Sequence, residues 1–475
     1  MFTKNAAVKT DKLDKKDLFE NVPIKRALLT MAIPTVISQL INLVYNLVDT
    51  FYIGRTGDSY KTAAVTLAFT VFMLTQAIAN LFGIGGGSLM SRLAGAGEHK
   101  KAKGVCAAGF WGSVFAAIAY SLLVGAFLDP ILKMLGASEN TLEYARQYTL
   151  IVVVAGNLPT ILSTVASHLV RNAGYSKHAS IGLSLGGVLN IILDPLFMFV
   201  WLPEGYEIVG AALATLISNV VSCVYLVAVL VMLSKKTILS ADPRRIKEVR
   251  KAEWSSFFAV GIPSAMLTGL FDLANIVLNS LMAGHGDLEL AAIGIVMKAE
   301  RLPNAVNLGV CQGMLPIVAY NYASGNHERM NKAVRTARIW GIVISLATVI
   351  LYEIFSKPIC EVFLSVGENN VNAAKTIAFA AVFLRIRCLA SLPQFFNYNT
   401  SYCMQAVGYG SGTLIHACVR ELAFYIPLMY LFNALVGVYG LVSAIVIGES
   451  LGGIFALILF KVWKKKNLTL SGESI

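Results

Sequence analysis

The 475-residue sequence is 56% hydrophobic and only 14% charged, with a mean hydropathy of +0.67. Soluble domains are roughly 45–50% apolar and about 25% charged, so these values exclude a soluble chain and make the bilayer its solvent. The formal net charge of +12 is gathered in short segments between apolar runs, a pattern of cytoplasmic loops rather than of a nucleic-acid-binding surface.

Residues 1–25 are polar and rich in Lys and Asp. They lack the apolar stretch of a cleavable signal peptide and read as a cytosolic tail. Apolar runs long enough to span, roughly 20 residues each, follow at 27–54, 62–90, 104–128, 142–168, 180–202, 209–233, 256–283, 289–319, 334–357, 372–404, 411–433 and 437–461. The polar stretch 234–254, with Asp242-Pro243 and many charges, reads as a linker between a first lobe (26–233) and a second (255–462), and 463–475 as a C-terminal cytosolic tail. The expected fold is all-α and integral to the membrane: twelve helices in two six-helix lobes around a central cleft.

Lys and Arg concentrate before the first run, after each even-numbered run up to the eighth, and at Lys464, Lys465 and Lys466. The opposite loops hold little beyond Arg55, Lys61, Lys133 and Lys357. The positive-inside rule therefore places both termini in the cytoplasm. The seven Cys are scattered singly, with no CxxC pair, and read as reduced core residues.

The two halves echo each other. Ala32-Ile33-Pro34 opens the first run and Gly261-Ile262-Pro263 the seventh; Gly57-Asp58 answers Gly286-Asp287; Ala94-Gly95-Ala96-Gly97-Glu98-His99 answers Ala323-Ser324-Gly325-Asn326-His327; Ala173-Gly174-Tyr175 answers Val407-Gly408-Tyr409; Gly210 answers Gly440. Five echoes in one order indicate duplication. Six spans per half is even, so the repeats run parallel through the membrane.

Val48-Asp49-Thr50-Phe51-Tyr52-Ile53-Gly54, Ala94-Gly95-Ala96-Gly97, Arg171-Asn172-Ala173-Gly174 and Asn190-Ile191-Ile192-Leu193-Asp194-Pro195, in this order over residues 20–465, resemble the multidrug and toxic compound extrusion (MATE) transporters. The resemblance is closer to the MepA- and DinF-like bacterial members than to the NorM type. It implies a cation-coupled antiporter, driven by H⁺ or Na⁺, that exports amphipathic organic cations by alternating access. It implies residence in a bacterial plasma membrane, as a monomer and without a cofactor beyond the coupling ion. Related superfamily members flip lipid-linked saccharides, which is the alternative on the same fold.

Ionisable residues deep in a span cost ~2.5–3.5 kcal/mol on insertion scales and mark function. Asp49 lies five residues from the end of the first run and Asp194 about seven from the end of the fifth, so at ~1.5 Å per residue both sit roughly 7–11 Å below the surface. Asn190 precedes Asp194 by four and shares its helix face; Thr215 enters the sixth run at a comparable depth. Pro195 removes a backbone donor beside Asp194. Two carboxylates, an amide and a hydroxyl form an oxygen-rich nest for a proton or a hard cation such as Na⁺. The family resemblance implies the same positions as its first-lobe cation site. At the offset aligning the prolines, Ile426-Pro427 answers Asp194-Pro195, and Leu278 or a neighbour answers Asp49, so the acids occupy one half only. Pro34 and Pro195 are the expected hinges.

In the second half Asp272, Lys298, Glu300 and Arg301 are candidates for the cleft, with Asn46, Met297, Gln394 and Asn397; Asp272 is expected to pair with Lys298 or Arg301. No acid stands in the tenth span where NorM-type members carry one. Arg385 and Arg387 are expected near the outer end of that span, snorkelling to water, and Arg420 and Glu421 pair locally or with a neighbouring helix. Phe72, Met73, Met282, Phe395, Phe396 and Tyr398 suit an adaptable apolar cavity. Gly83-Ile84-Gly85-Gly86-Gly87 lacks the Lys-Ser/Thr of a phosphate loop and reads as helix packing. No HExxH, GxSxG or metal-spaced His cluster points to an enzyme.

Overall fold

A computed structural model describes residues 15–363 and 371–468. Among these residues the chain is helical, with no strand. The short α1 (Lys15–Glu20) precedes α2 (Ile24–Gly54), α3 (Ser59–Gly95), α4 (His99–Ala126), α5 (Leu128–Met134), α6 (Glu139–Thr149), α7 (Asn157–Asn172), α8 (Ser176–Leu196) and α9 (Glu207–Leu233). After a 3₁₀ turn at Pro243–Glu248 come α10 (Lys251–Ala283), α11 (Asp287–Ala323), α12 (His327–Phe363), α13 (Val371–Cys388), α14 (Ser391–Val407), α15 (Gly410–Cys418), α16 (Ile426–Val436) and α17 (Val438–Leu468). Single π-helical stretches occupy Leu150–Ala155, Phe197–Trp201 and Val419–Tyr425.

Among the described residues ten helices are long and apolar enough to cross a membrane, and two bent pairs, each counted as one span, bring the number to twelve. The fourth and tenth spans are bent by 47° and 49°. Gly156 sits at the first bend, where a Cβ would stand 2.5 Å from the Val152 carbonyl oxygen, so the turn admits no side chain. The second bend falls at Leu389-Ala390, between α13 and α14.

The two sets of helices close on one another at the face that carries the N-terminus. A Cβ on Gly313 of α11 would stand 2.6 Å from Ala32 Cα of α2, and one on Gly85 of α3 would stand 2.9 Å from Gly261 Cα of α10. The Gly-rich run of α3 thus serves backbone-to-backbone helix packing, as its composition predicts. Gln312 of α11 ties the halves with hydrogen bonds from Gln39 (3.1 Å) and Arg171 (3.2 Å), and Asn80 donates to Thr268 (3.1 Å). Leu28, Met31, Cys311, Met314, Phe395 and Met404 pack in one cluster across this seam.

The segment expected as a cytosolic tail packs against the helices over its described part. Leu18, Phe19 and Val22 are buried in the seam cluster. The Arg329 guanidinium donates to the carbonyls of Leu18, Phe19 and Val22, and Phe19 stacks on Tyr320 at 5.1 Å. An apolar triplet too short to span still has a face to bury, and the end of α11 supplies it.

Candidate functional site

The first-half carboxylates are positioned by three helices. Asp49 stands five residues before the end of α2, Asp194 two before the end of α8, and Thr215 in the third turn of α9. Their side chains converge. Asn190 Nδ2 donates to Asp194 Oδ1 at 3.0 Å, as the four-residue spacing requires, and reaches Thr215 Oγ1 at 3.4 Å. Asp49 lies close enough to Asp194 for their charges to interact directly. Three buried oxygens here have no partner: Asp49 Oδ1, Asp194 Oδ2 and Asn190 Oδ1. Unpaired buried oxygens are costly, and three hard donors from three side chains are a fitting seat for a proton or a small hard cation.

Tyr45 and Tyr148 also face the two carboxylates, and sequence reasoning did not single them out. Tyr45 precedes Asp49 by four, on the same helix face, so its signal was present; Tyr148 arrives from α6, which no spacing within one helix reveals.

Two cavities meet at this site. One, of about 250 Å³, lies mainly in the first half, closed on one side by Gln312 of α11, and is polar, with Asn42, Gln76, Thr160 and Asn190 on its wall. The other, of about 270 Å³, opens between the halves and is lined by Asn46, Asp49, Phe69, Lys298 and Arg301 among others. Tyr45, Phe72 and Thr215 line both. The carboxylate site is thus a partition between an internal polar chamber and the cleft.

The second-half candidates divide. Lys298 and Arg301 line the cleft. Asp272 interacts electrostatically with Arg301 but is in no ion pair within 4.0 Å of either base, and its Oδ2 has no partner. The other four turn away from the cleft, which corrects their assignment. Met297 packs against the second-half core. Glu300 is held by a bidentate pair from Arg387, with both contacts at 2.8 Å. Gln394 contacts Tyr398 (3.4 Å), and Asn397, fully buried, bonds to Glu449 and His416. Met282 and Phe395 are likewise core residues, and Tyr398 is buried. Arg387 does not snorkel. It is buried beside the bend after α13, where the Glu300 carboxylate compensates its charge. Arg385, more exposed, donates to Ser356 at 2.9 Å. Arg420 contacts Glu421 at 3.5 Å and also Glu449 of α17, a residue the sequence reading passed over.

Of the expected hinges, Pro34 lies inside the continuous α2, in the stretch where Ala32 and Val36 meet α11, and the helix is unbroken there. Pro195 is followed at once by the π-helical turn Phe197–Trp201, consistent with a backbone loosened by the missing donor.

The MatE family profile matches this chain twice, over residues 34–196 and 263–431. The matches begin at the two prolines of the Ile-Pro echoes. The multidrug export protein MepA of Staphylococcus aureus is 28% identical over 447 residues, covering 93% of this chain and 94% of that protein. Two solved structures share the fold, each at 24% identity and TM-score 0.88. One is a multidrug resistance MATE family transporter of the MOP superfamily in an outward-facing conformation, matching 97% of this chain and 99% of its own. The other is a MOP superfamily transporter from Pyrococcus furiosus, matching 96% and 99%. Two family matches covering most of the chain, on twelve spans in two parallel halves, establish that the chain belongs to the MatE family of membrane transporters.

Proposed function

We propose that the chain is a cation-coupled multidrug efflux antiporter of a bacterial plasma membrane, with both termini cytoplasmic, exporting amphipathic organic cations. The observation that carries the coupling is the trio of unpartnered oxygens on Asp49, Asp194 and Asn190 at the partition between chamber and cleft. A site left with unpaired hard donors in a dry place gains most from a proton or Na⁺, and Asp49 is the acid that also lines the cleft. Binding of either ion removes net negative charge from the α2–α8–α9 junction. That weakens attraction for a cationic drug on the cleft side and frees α2 to repack, so drug release and ion entry exclude one another. A negative cell interior adds ~2.3 kcal/mol per charge per 100 mV to cation entry. The named activity of the MepA relatives, multidrug export, supports the cargo class.

One observation favours a second reading. Lys298 and Arg301 place two cations on the cleft wall, and among the described residues neither has a carboxylate, Asp272 included, within ion-pair distance, which suits an anionic or lipid-linked cargo better than a cationic drug.

Reconstitution in vesicles decides between them. Ethidium-type dye should leave the protein's cytoplasmic side when a H⁺ or a Na⁺ gradient is imposed, and fluorescent lipid-linked saccharide should not change leaflet. Gradient-independent lipid movement without dye transport would reverse the assignment.

A further inference from the structure

A second buried ionisable cluster lies in the second half, away from the Asp49–Asp194 site. Arg420 and Glu421 sit in the π-helical turn that continues α15, and Glu449 faces them from α17. All three are 3% exposed. Arg420 pairs with Glu449 through Nη2 and contacts Glu421 through Nε at 3.5 Å. Beyond Glu449 the network continues. Asn397 Nδ2 donates to the Glu449 carboxylate at 2.6 Å, His416 Nε2 donates to Asn397 Oδ1 at 2.8 Å, and Ser401 Oγ meets His416 Nδ1 at 2.9 Å. Asn397 uses its amide toward Glu449, so its oxygen must accept, which fixes the His416 proton on Nε2. The Ser401 hydroxyl then donates to Nδ1 and leaves the ring neutral, in keeping with Arg420 one turn along the same helix.

The charges do not balance. One guanidinium faces two carboxylates, and the other groups facing Glu421 are the phenols Tyr398 and Tyr425. The nearest further base, Arg387, is already matched by Glu300, and α10, which also packs on this turn, directs Asp272 toward Arg301. A net negative charge left in a site this dry is strongly unfavourable. Glu421 Oε2 is buried and has no partner. Arg420 in direct contact with Glu421 disfavours a metal cation, because one neighbour is already a positive donor that cannot ligate.

The repeat shows that this cluster is built in. At the offset that superposes Gly174 on Gly408, Ser163, Ser167 and Gly186 correspond to Asn397, Ser401 and Arg420; at the offset of Gly210 and Gly440, Asn219 corresponds to Glu449. All four first-half residues line the internal polar chamber. The second half fills the equivalent space with ionic side chains.

We propose that Glu421 is a second proton-binding site, holding one proton that neutralises the Arg420–Glu421–Glu449 cluster, independent of the first-half carboxylates. Infrared spectroscopy of the full-length protein in lipid tests it. The first-half acids are both aspartates, so biosynthetic ¹³C-carboxyl labelling of glutamate separates the two sites without any mutation. The expected result is a protonated-carboxylic-acid carbonyl band that shifts on glutamate labelling and persists in Asp49→Asn/Asp194→Asn. That band should disappear in Glu421→Gln, and also in Glu449→Gln, which leaves Arg420 balanced by one carboxylate. Absence of a glutamate-derived band in the unmutated protein overturns the proposal, as does its persistence in either variant. A band from aspartate alone places the buried proton at the first-half site and likewise overturns the proposal.

Discussion

Asn190 donates to one oxygen of Asp194 at 3.0 Å and leaves the other oxygen of that carboxylate with no partner. The amide thus aims the acid without saturating it, and under the proposed coupling the free oxygen is the one left to take the ion. Asn190→Ala removes a charge-assisted hydrogen bond worth ~1.5–3 kcal/mol, which favours the ionised carboxylate, so a coupling proton binds roughly 10- to 100-fold more tightly without it, whereas Na⁺ loses an oxygen donor and binds more weakly. The ion dependence of dye efflux in vesicles should therefore shift, toward higher pH if the ion is H⁺ and toward higher Na⁺ concentration if it is Na⁺, while dye binding measured by fluorescence polarisation stays near the native value. Loss of dye binding with unchanged ion dependence would move Asn190 from the ion site to the cargo site.

The seam between the halves depends on the absence of side chains. A Cβ on Gly313 would stand 2.6 Å from the Ala32 backbone, so Gly313→Val must separate α2 from α11. Overpacking of this kind costs ~1–3 kcal/mol. The expected outcomes are a lower melting temperature in detergent and faster thiol labelling of Cys311, which is fully buried in the seam, in a variant where it is the sole cysteine. Unchanged labelling would show that the seam tolerates the bulk.

Much of this arrangement is legible in the sequence. The apolar runs mark the twelve spans, and the echoed Ile-Pro and Gly motifs mark the repeat. Depth along each run brings Asp49, Asn190, Asp194 and Thr215 to one level. Helical periodicity fixes what shares a face within one helix, so Asn190 and Asp194 were readable as a pair. It does not say which face meets which neighbour. Arg387 reads as snorkelling only if the tenth span is taken as one continuous helix, although Pro393, four residues after Leu389, marks the bend. Asn397 and Glu300 were misread as cleft residues because the partners that turn them inward, Glu449 and Arg387, lie on other helices. Glu449 itself stands alone in an apolar run, and the criterion that singles out Asp49 applies to it equally.

The Arg387–Glu300 pair holds α13 to α11 inside the second half, with the arginine side chain 3% exposed. Breaking one side of a buried pair costs ~3–5 kcal/mol because the remaining charge is uncompensated. Glu300→Gln should lower thermal stability strongly, and Glu300→Gln/Arg387→Met should recover most of the loss. A double variant no more stable than the single would mean that Glu300 acts through something other than Arg387.

Arg329 holds α1 by three backbone carbonyls. Arg329→Gln should raise amide hydrogen exchange across residues 15–22 several-fold at native temperature, because each bond to a charged donor is worth ~1.5–3 kcal/mol, while exchange in α2 and α11 stays low. Uniformly increased exchange would assign Arg329 to the global fold instead.

The central claim is that an ion gradient reaches the cargo through Asp49. The direct measurement is dye efflux from proteoliposomes under separately imposed pH and Na⁺ gradients, for the native chain and for Asp49→Asn. The account predicts that one of the two gradients drives efflux by the native protein, and that Asp49→Asn binds dye yet loses the gradient-driven component. Gradient-driven efflux left intact in Asp49→Asn would contradict it.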